Sequence, residues 1–443
     1  MKKFLSFILA LSFVLTSVPI CLADNTGIFS YTLMADGSYE VTSYKGNGQE
    51  QVNIPSEYLG SVVTAISSGC FTTIDGDTVT YHPEIKTITI PYTISSIGEN
   101  AFAGTSWIDT AADEKGFVTV NGILLNYTGS SSVLTLPDNI KTINYGAFAG
   151  NEWLSGIKLT YGLTKILDNA FSGCVNLNTI DIPDSVVYIG GGAFRNTAIT
   201  TITIPNGVTE VNASLFYCCD KLTTVNFAGS VSSFGQYCFC ECKALESITI
   251  NSENPNVFPA CVHSIGYGAF LNCINLQNVK IGSSVASIGS LAFANCVKLS
   301  DFYVSEECGM TEIGDYAFGF YILYDGESYT PIRISTTIHI SGTTLGRINT
   351  PIIKYCHNAA LEGIFTPVSY VVSYPTLLGD TDGDKKITAS DARLILRCAA
   401  ELITIDEKYA IDVNLDGRIS AGDARRALRI AAGLDTNPEN LEE

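Results

Sequence analysis

Two twelve-residue segments carry the most specific chemistry in the chain. Asp380 to Asp391 reads DTDGDKKITASD and Asp412 to Asp423 reads DVNLDGRISAGD, so the two begin 32 residues apart. Each places an oxygen-bearing side chain at positions 1, 3, 5, 9 and 12. Ca2+ takes about six to eight oxygen ligands, so a loop wound around it must return an oxygen every two or three residues. The side-chain ligands expected in the first segment are Asp380, Asp382, Asp384 and Asp391, joined by the Lys386 carbonyl. Those expected in the second are Asp412, Asn414, Asp416 and Asp423, joined by the Arg418 carbonyl. Thr388 and Ser420 fall at position 9, where contact often runs through water. The expected cofactor is Ca2+, one ion per loop.

The residues that follow the two loops also match. Ala392-Arg393, Leu396-Arg397 and Ala399-Ala400 recur as Ala424-Arg425, Leu428-Arg429 and Ala431-Ala432, at helical spacing. This tandem loop–helix resembles a type I dockerin, the module that plugs into a cohesin domain on a cellulosomal scaffoldin. It departs from an ordinary EF-hand: Pro375 and Gly379 precede the first loop, and position 12 is Asp rather than Glu. Lys385 stands where Gly would ease the turn, which is expected to weaken the first site without abolishing it. The resemblance implies a cohesin as partner, contacted by Ala389, Ser390, Arg393 and Arg397 and by Ala421, Gly422, Arg425 and Arg429. The near two-fold repeat implies binding in either of two orientations.

Upstream of this module the chain is built on a period. Cys174 to Phe194, CVNLNTIDIPDSVVYIGGGAF, is one complete unit: Cys-x-x-Leu, an alternating strand ended by Pro183, Val-x-x-Ile-Gly, then Ala-Phe. Its Phe recurs as Phe71, Phe102, Phe148, Phe171, Phe194, Phe216, Phe239, Phe270, Phe293 and Phe318. From Phe148 to Phe239 the steps are 23, 23, 22 and 23 residues. An apolar residue keeps register five positions before each Phe, from Ile66 to Ile313. One such unit buries almost nothing alone, so the period predicts a solenoid. The units resemble the BspA-like leucine-rich repeats of bacterial surface proteins over most of residues 61–318. That resemblance implies a right-handed array with parallel strands along one face, and adhesion or binding rather than catalysis. The expected fold class is therefore a β-rich leucine-rich-repeat solenoid followed by a small all-α calcium-binding dockerin.

Two breaks in the period stand out. Phe102 to Phe148 spans 46 residues, so a degenerate unit is expected around Gly116 to Thr128. Phe239 to Phe270 spans 31, and the extra residues between Ile250 and Val262 are expected to loop out. Insertions in solenoids often shape a binding face, which makes Asn251, Glu253, Asn254, Asn256 and Phe258 candidate ligand residues. The divisions expected are a signal peptide at 1–23, a cap at 24–60 and repeats at 61–320. The end of the array and its cap follow at 321–375, with the dockerin at 376–443.

Composition narrows the function. A net charge of −19 disfavours nucleic acid and anionic membranes, both of which select basic surfaces. Lys2 and Lys3, an apolar run from Phe4 to Ile20 and a small-x-small end at Cys21-Leu22-Ala23 read as an export signal cleaved before Asp24. A lipidated Cys21 is the weaker alternative. No later run reaches the roughly 18 apolar residues of a membrane span, so no membrane insertion is expected. Cys174, Cys219, Cys242, Cys273 and Cys296 each follow a repeat Phe by three residues, a core register, and read as buried thiols. A zinc cluster at Cys238, Cys240 and Cys242 with Cys218 and Cys219 is the alternative. No nucleophile elbow, His-Glu-x-x-His or phosphate loop is present, and His82, His263, His339 and His357 stand apart in sequence. The expected function is a secreted, non-catalytic binding or adhesion protein, held in a polysaccharide-degrading cellulosome through its dockerin and carrying an unidentified glycan or protein ligand on the solenoid. The alternative is a polysaccharide hydrolase or peptidase inhibitor built on the repeats.

Overall fold

The computed structural model describes residues 21–23, 27–75, 78–250, 256–259, 261–304, 308, 310–318, 322–324, 329–331, 337–341, 369–373, 386–400, 413 and 420–434. The chain forms two compact units, Met1–Glu114 and Lys115–Glu443.

In the first unit, Phe29–Leu33 and Tyr39–Tyr44 form an antiparallel hairpin. Its turn is set by Asp36, whose Oδ1 accepts from the Ser38 amide at 2.9 Å and the Ser38 hydroxyl at 2.7 Å. Tyr39–Tyr44 then runs parallel to Ser61–Ile66, which in turn pairs in parallel with Ser96–Ile97. The hairpin is thus the first rung of a ladder. Phe29, Tyr31, Tyr44 and Phe71 are fully buried beneath it. Cys21–Ala23, the end of the expected export signal, pairs with Ser30, Tyr31 and Thr32, while residues 1–20 lie outside those described.

The second unit opens on another hairpin, Phe117–Val120 with Ile123–Tyr127, in the stretch where the repeat degenerates. Its turn, Asn121-Gly122, has φ of 49° and 80°, the left-handed pair that a two-residue hairpin needs. From there every coil contributes to parallel ladders. The alternating strands pair from Val133–Thr135 through Gly156–Lys158 to Thr179–Asp181, and again from Thr201–Ile204 through Thr224–Phe227 to Ser247–Ile250. Strands appear on a second face as well. The two residues ending in each Val-x-x-Ile anchor, such as Lys165–Ile166 and Tyr188–Ile189, also pair in parallel. The expectation of strands along one face is therefore too narrow. Thr337–Ser341 and Ser369–Ser373 add two further rungs beyond the last repeat Phe.

The core is a column of rings. Phe148, Phe171, Phe194, Phe216, Phe239, Phe270, Phe293 and Phe318 stack face to face, with neighbouring centroids 4.9–5.7 Å apart and planes within 16°. Burying each ring is worth about 3 kcal/mol, and contact with the next ring adds about 1 kcal/mol. Backbone bonds follow the same register: the amides of Phe171, Phe216 and Phe239 each donate at 2.8 Å to the carbonyl of the residue preceding the next coil's Phe.

The cysteine register proves to be more than filling. The Sγ of Cys174, Cys219 and Cys242 donates at 3.0 Å to the carbonyls of Phe148, Phe194 and Phe216, and that of Cys273 and Cys296 at 3.1 Å to those of Phe239 and Phe270. Each thiol satisfies the buried carbonyl of a Phe in an earlier coil. Where Cys is missing, Thr105, Asn151 and Thr197 stand in the same register and also donate to backbone carbonyls. After every repeat Phe from Phe102 to Phe293 this position holds a side chain with a donor, whereas Ile74 holds it after Phe71. The cysteines of the repeats from Cys70 to Cys308 are free thiols, as is Cys398, and no group of three or more metal-binding side chains occurs among the described residues.

Two glycines of the triple Gly190–Gly192 act differently. Gly192 has φ of 61° and makes the turn, whereas a Cβ on Gly190 would overlap Asp168 of the preceding coil. The turn position, two before each Phe, lies in the left-handed region in every coil. Gly, Asn or Ser occupies it in most, yet Tyr237 (55°), Leu291 (59°) and Tyr316 (57°) occupy it in three. Holding a side chain with a Cβ there costs about 1–2 kcal/mol, less for Asn.

The insertion corrects one expectation. Asn256 and Phe258 do not face a ligand. Phe258 is fully buried, lies in the short strand Val257–Phe258, and stacks on Phe234 at 5.0 Å. Asn256 splices two ladders: its amide donates to the Ile248 carbonyl at 2.7 Å, and its Oδ1 accepts from the Ile248 amide at 2.9 Å. Its Nδ2 donates to the Glu246 and Gln277 carbonyls at 3.0 and 2.9 Å. Every polar atom of that side chain is thus engaged in backbone bonds. Asn251, Glu253 and Asn254 lie outside the described residues.

Two tests follow. Cys273→Ala removes both the donor and the sulfur volume, so it is expected to lower the unfolding free energy by about 1–3 kcal/mol in urea titrations. Burial pushes the Cys219 thiol up to about 11 and that of Cys174 up to about 12, each far above an unfolded thiol near about 8.5. The folded state holds these protons more tightly, so their contribution is complete below about pH 8.5 and declines as pH rises towards the folded values. The unfolding midpoint of the repeats should therefore fall steadily above about pH 8.5; a flat midpoint to pH 11 would contradict this burial.

Candidate functional site

The acidic segments lead into two helices, and short α1 (Ser106–Thr110) is the one other helix among the described residues. Helix α2 spans Ala389–Ala399 and α3 spans Ala421–Ala431. Both start with a reciprocal capping box that the loop itself supplies. Thr388 is the N-cap of α2 and its Oγ1 accepts from the Ser390 amide at 3.1 Å. Asp391 reaches back, its Oδ2 accepting from the Thr388 amide at 2.8 Å and the Thr388 hydroxyl at 2.7 Å. In α3, Ser420 and Asp423 repeat this arrangement at 2.8 and 3.0 Å, with the Gly422 amide donating to Ser420 at 3.0 Å. The residues at loop positions 9 and 12 are therefore locked to one another before any ion is considered.

Both aspartates are fully buried. A carboxylate out of water needs hydrogen bonds and a compensating charge. Here the capping bonds fall on Oδ2, and the helix N-terminus adds partial positive charge. An all-oxygen donor set closed by a buried carboxylate at a helix start fits a hard divalent cation such as Ca2+. Of the expected ligands, Asp391 and Asp423 are placed in this way and Lys386 is exposed. Asp380, Asp382, Asp384, Asp412, Asn414, Asp416 and Arg418 lie outside the described residues.

The two helices share one small core. Ala392, Ile395, Val413, Ala424 and Ala427 are buried together, with Ile387, Cys398 and Ile430 packed against them. Opposite this core, Ala389, Ser390, Arg393 and Arg397 are exposed on α2. Ala421, Arg425 and Arg429 are exposed on α3, with Gly422 half-buried. The expected partner residues thus share the outer face of each helix. The structure adds a residue to each face: Leu396 is 48% exposed and Leu428 50%. Both sit beside the arginines, 32 positions apart, like the loops themselves.

A coiled stack of parallel rungs joined to a repeated pair of acidic loop–helix motifs defines the class: a leucine-rich-repeat solenoid bearing a docking module. Residues 64–186, 164–257 and 254–339 match the BspA type leucine-rich repeat region, in six copies, and residues 378–427 match the dockerin type I domain. The chain belongs to the BspA-type leucine-rich repeat proteins and carries a C-terminal type I dockerin, a calcium-binding and cohesin-binding module. These domains place it outside the cell or on its surface, and no helix among the described residues is long and apolar enough to cross a membrane.

Among solved structures, it is similar to a leucine-rich repeat protein from Bacteroides ovatus, with 18% identity over 79% of this chain and 99% of that one (TM-score 0.36). A leucine-rich cell surface protein from Faecalibacterium prausnitzii shows 20% identity over 67% and 95% (0.24). The T. pallidum leucine-rich repeat protein shows 25% identity over 51% and 91% (0.27). No curated protein sequence matches the chain.

Thr388→Ala and Ser420→Ala each remove a cap oxygen and the hydroxyl that donates to Asp391 or Asp423. Each is expected to cost about 1–2 kcal/mol of the module's stability, read from calcium-saturated thermal unfolding.

Proposed function

We propose that this protein is an exported, non-catalytic binding protein that docks through its C-terminal module onto a scaffoldin cohesin, bringing its repeat array into a polysaccharide-degrading assembly. Two ions load the module, one per acidic loop. Asp380, Asp382, Asp384 and Asp391 with the Lys386 carbonyl hold the first. Asp412, Asn414, Asp416 and Asp423 with the Arg418 carbonyl hold the second. The bound ions neutralise carboxylates that otherwise repel one another, which lets so small a core hold two helices in place.

The observation that carries this reading is the duplicated outer face of α2 and α3. Each helix sets a half-exposed leucine beside two exposed arginines, over a buried capping aspartate. The leucine supplies apolar area and the arginines supply directed hydrogen bonds to acidic or carbonyl groups, the mixture found at interface centres. Because the faces are copies, a cohesin can be engaged by either one. Repeats that stack into a featureless core need no catalytic group, and their exposed positions are free to vary for recognition.

Calcium chelation is expected to abolish cohesin capture by the full-length chain, and Asp380→Ala combined with Asp412→Ala to do the same. Leu396→Ala or Leu428→Ala alone should leave capture nearly intact, because the other face remains. The double substitution should weaken it at least tenfold by calorimetry. Capture that survives chelation would refute the docking reading.

A further inference from the structure

The repeats carry a row of large side chains that their own geometry disfavours. Tyr237, Leu291 and Tyr316 occupy the left-handed turn position that Gly146, Asn169, Gly192 and Gly268 fill in sibling coils. Bulky residues in that conformation persist where function holds them. They are not isolated. Tyr267 directly precedes the same turn in the coil of Phe270, and Tyr217 follows the ring itself in the coil of Phe216. The rings of Tyr217 and Tyr237 meet edge to face at 6.4 Å, and those of Tyr237 and Tyr267 at 5.2 Å. Backbone bonds join parts of the row across coils: Tyr237 donates to the Tyr267 carbonyl at 2.9 Å, and Leu291 to the carbonyl of Asp315, the neighbour of Tyr316, at 3.0 Å. The Arg195 guanidinium closes one end, 4.8 Å from the centre of the Tyr217 ring. Five consecutive coils thus contribute one large side chain each, and Tyr267 and Tyr316 remain 38% and 43% exposed.

We propose that Tyr217, Tyr237, Tyr267, Leu291 and Tyr316 form a track for a neutral polysaccharide laid along the stack of coils, an inference that rests on the binding reading of the repeats given above. The row advances by one side chain per coil, so it suits a linear polymer with its own short repeat. It offers one large side chain per coil and is only partly exposed, too little for the broad apolar centre of a protein interface. Tyrosine offers a ring for the C–H faces of a sugar and a hydroxyl for its alcohols. A chain of net charge −19 repels uronate polymers, which leaves the neutral ones.

The test uses the full-length, calcium-loaded protein in affinity electrophoresis against soluble xylan, glucomannan and hydroxyethyl cellulose, with polygalacturonate as the anionic control. Retardation by at least one neutral polymer and none by polygalacturonate is expected. Tyr267→Ala and Tyr237→Asn should each weaken retardation at least tenfold. Asn suits the turn at position 237, as it does at Asn169, so Tyr237→Asn should melt at the wild-type temperature or above. Every variant should still be captured by cohesin. Failure of every neutral polymer to retard the protein, retardation unchanged in both variants, or a lower melting temperature for Tyr237→Asn would overturn the track. Loss of cohesin capture with retardation intact would instead count against the docking reading and leave the track standing.

Discussion

A coil of this protein has nothing to fold around except the coils on either side. Its ring lies flat on the ring of the next coil, and where a cysteine follows, the thiol reaches back to the carbonyl of an earlier Phe. These contacts settle what the rest of the coil must be. A stacked ring fixes the separation of adjacent coils, and that separation leaves no space for a side chain at Gly190. It also forces the chain through a left-handed turn just before each ring. The thiol satisfies a carbonyl that no water can reach, so the cysteine column is a hydrogen-bonding device as well as a packing one.

Such a core is almost silent about function. Residues that face inward repeat because stacking requires it, and their polar groups are taken up by one another. The buried thiols illustrate this: burial pushes them far towards the protonated form, which makes them poor nucleophiles and poor metal ligands. Information about partners has to lie where the coil tolerates variation or where a residue violates what the coil prefers. The tyrosines at the left-handed turn are such violations. In the C-terminal module the logic differs, since there the residues that hold the fold are also the ones proposed to hold the ion. Asp391 and Asp423 cap a helix and close an acidic loop at once.

Much of this is readable in the chain. The period of the phenylalanines and the register of the cysteines predict the column, because a core built from copies leaves its spacing in the sequence. The acidic loops are equally legible, since little besides a bound cation requires oxygen ligands at such fixed positions, twice over. Other features leave weaker marks. Pairs such as Lys165–Ile166 are too short to show alternation, so the second ladder is invisible in the sequence. Asn256 sits in a polar stretch that reads as a surface loop, yet its side chain splices two strands and Phe258 re-enters the core. Cys-for-Thr exchange at one register hints at a donor, but only the carbonyl positions reveal the acceptor. Leu396 and Leu428 look like core residues of amphipathic helices, and only their exposure assigns them to the outer face.

Two kinds of order therefore coexist in one chain: coils held by their neighbours, and a docking module whose fold is proposed to depend on its ions. Hydrogen exchange along the full-length protein, with calcium and after chelation, tests this most directly. Amides of α2 and α3 are expected to lose their protection on chelation while those of Phe171, Phe216 and Phe239 keep theirs. Loss of protection through the ring column, or unchanged protection in both helices, would contradict this division.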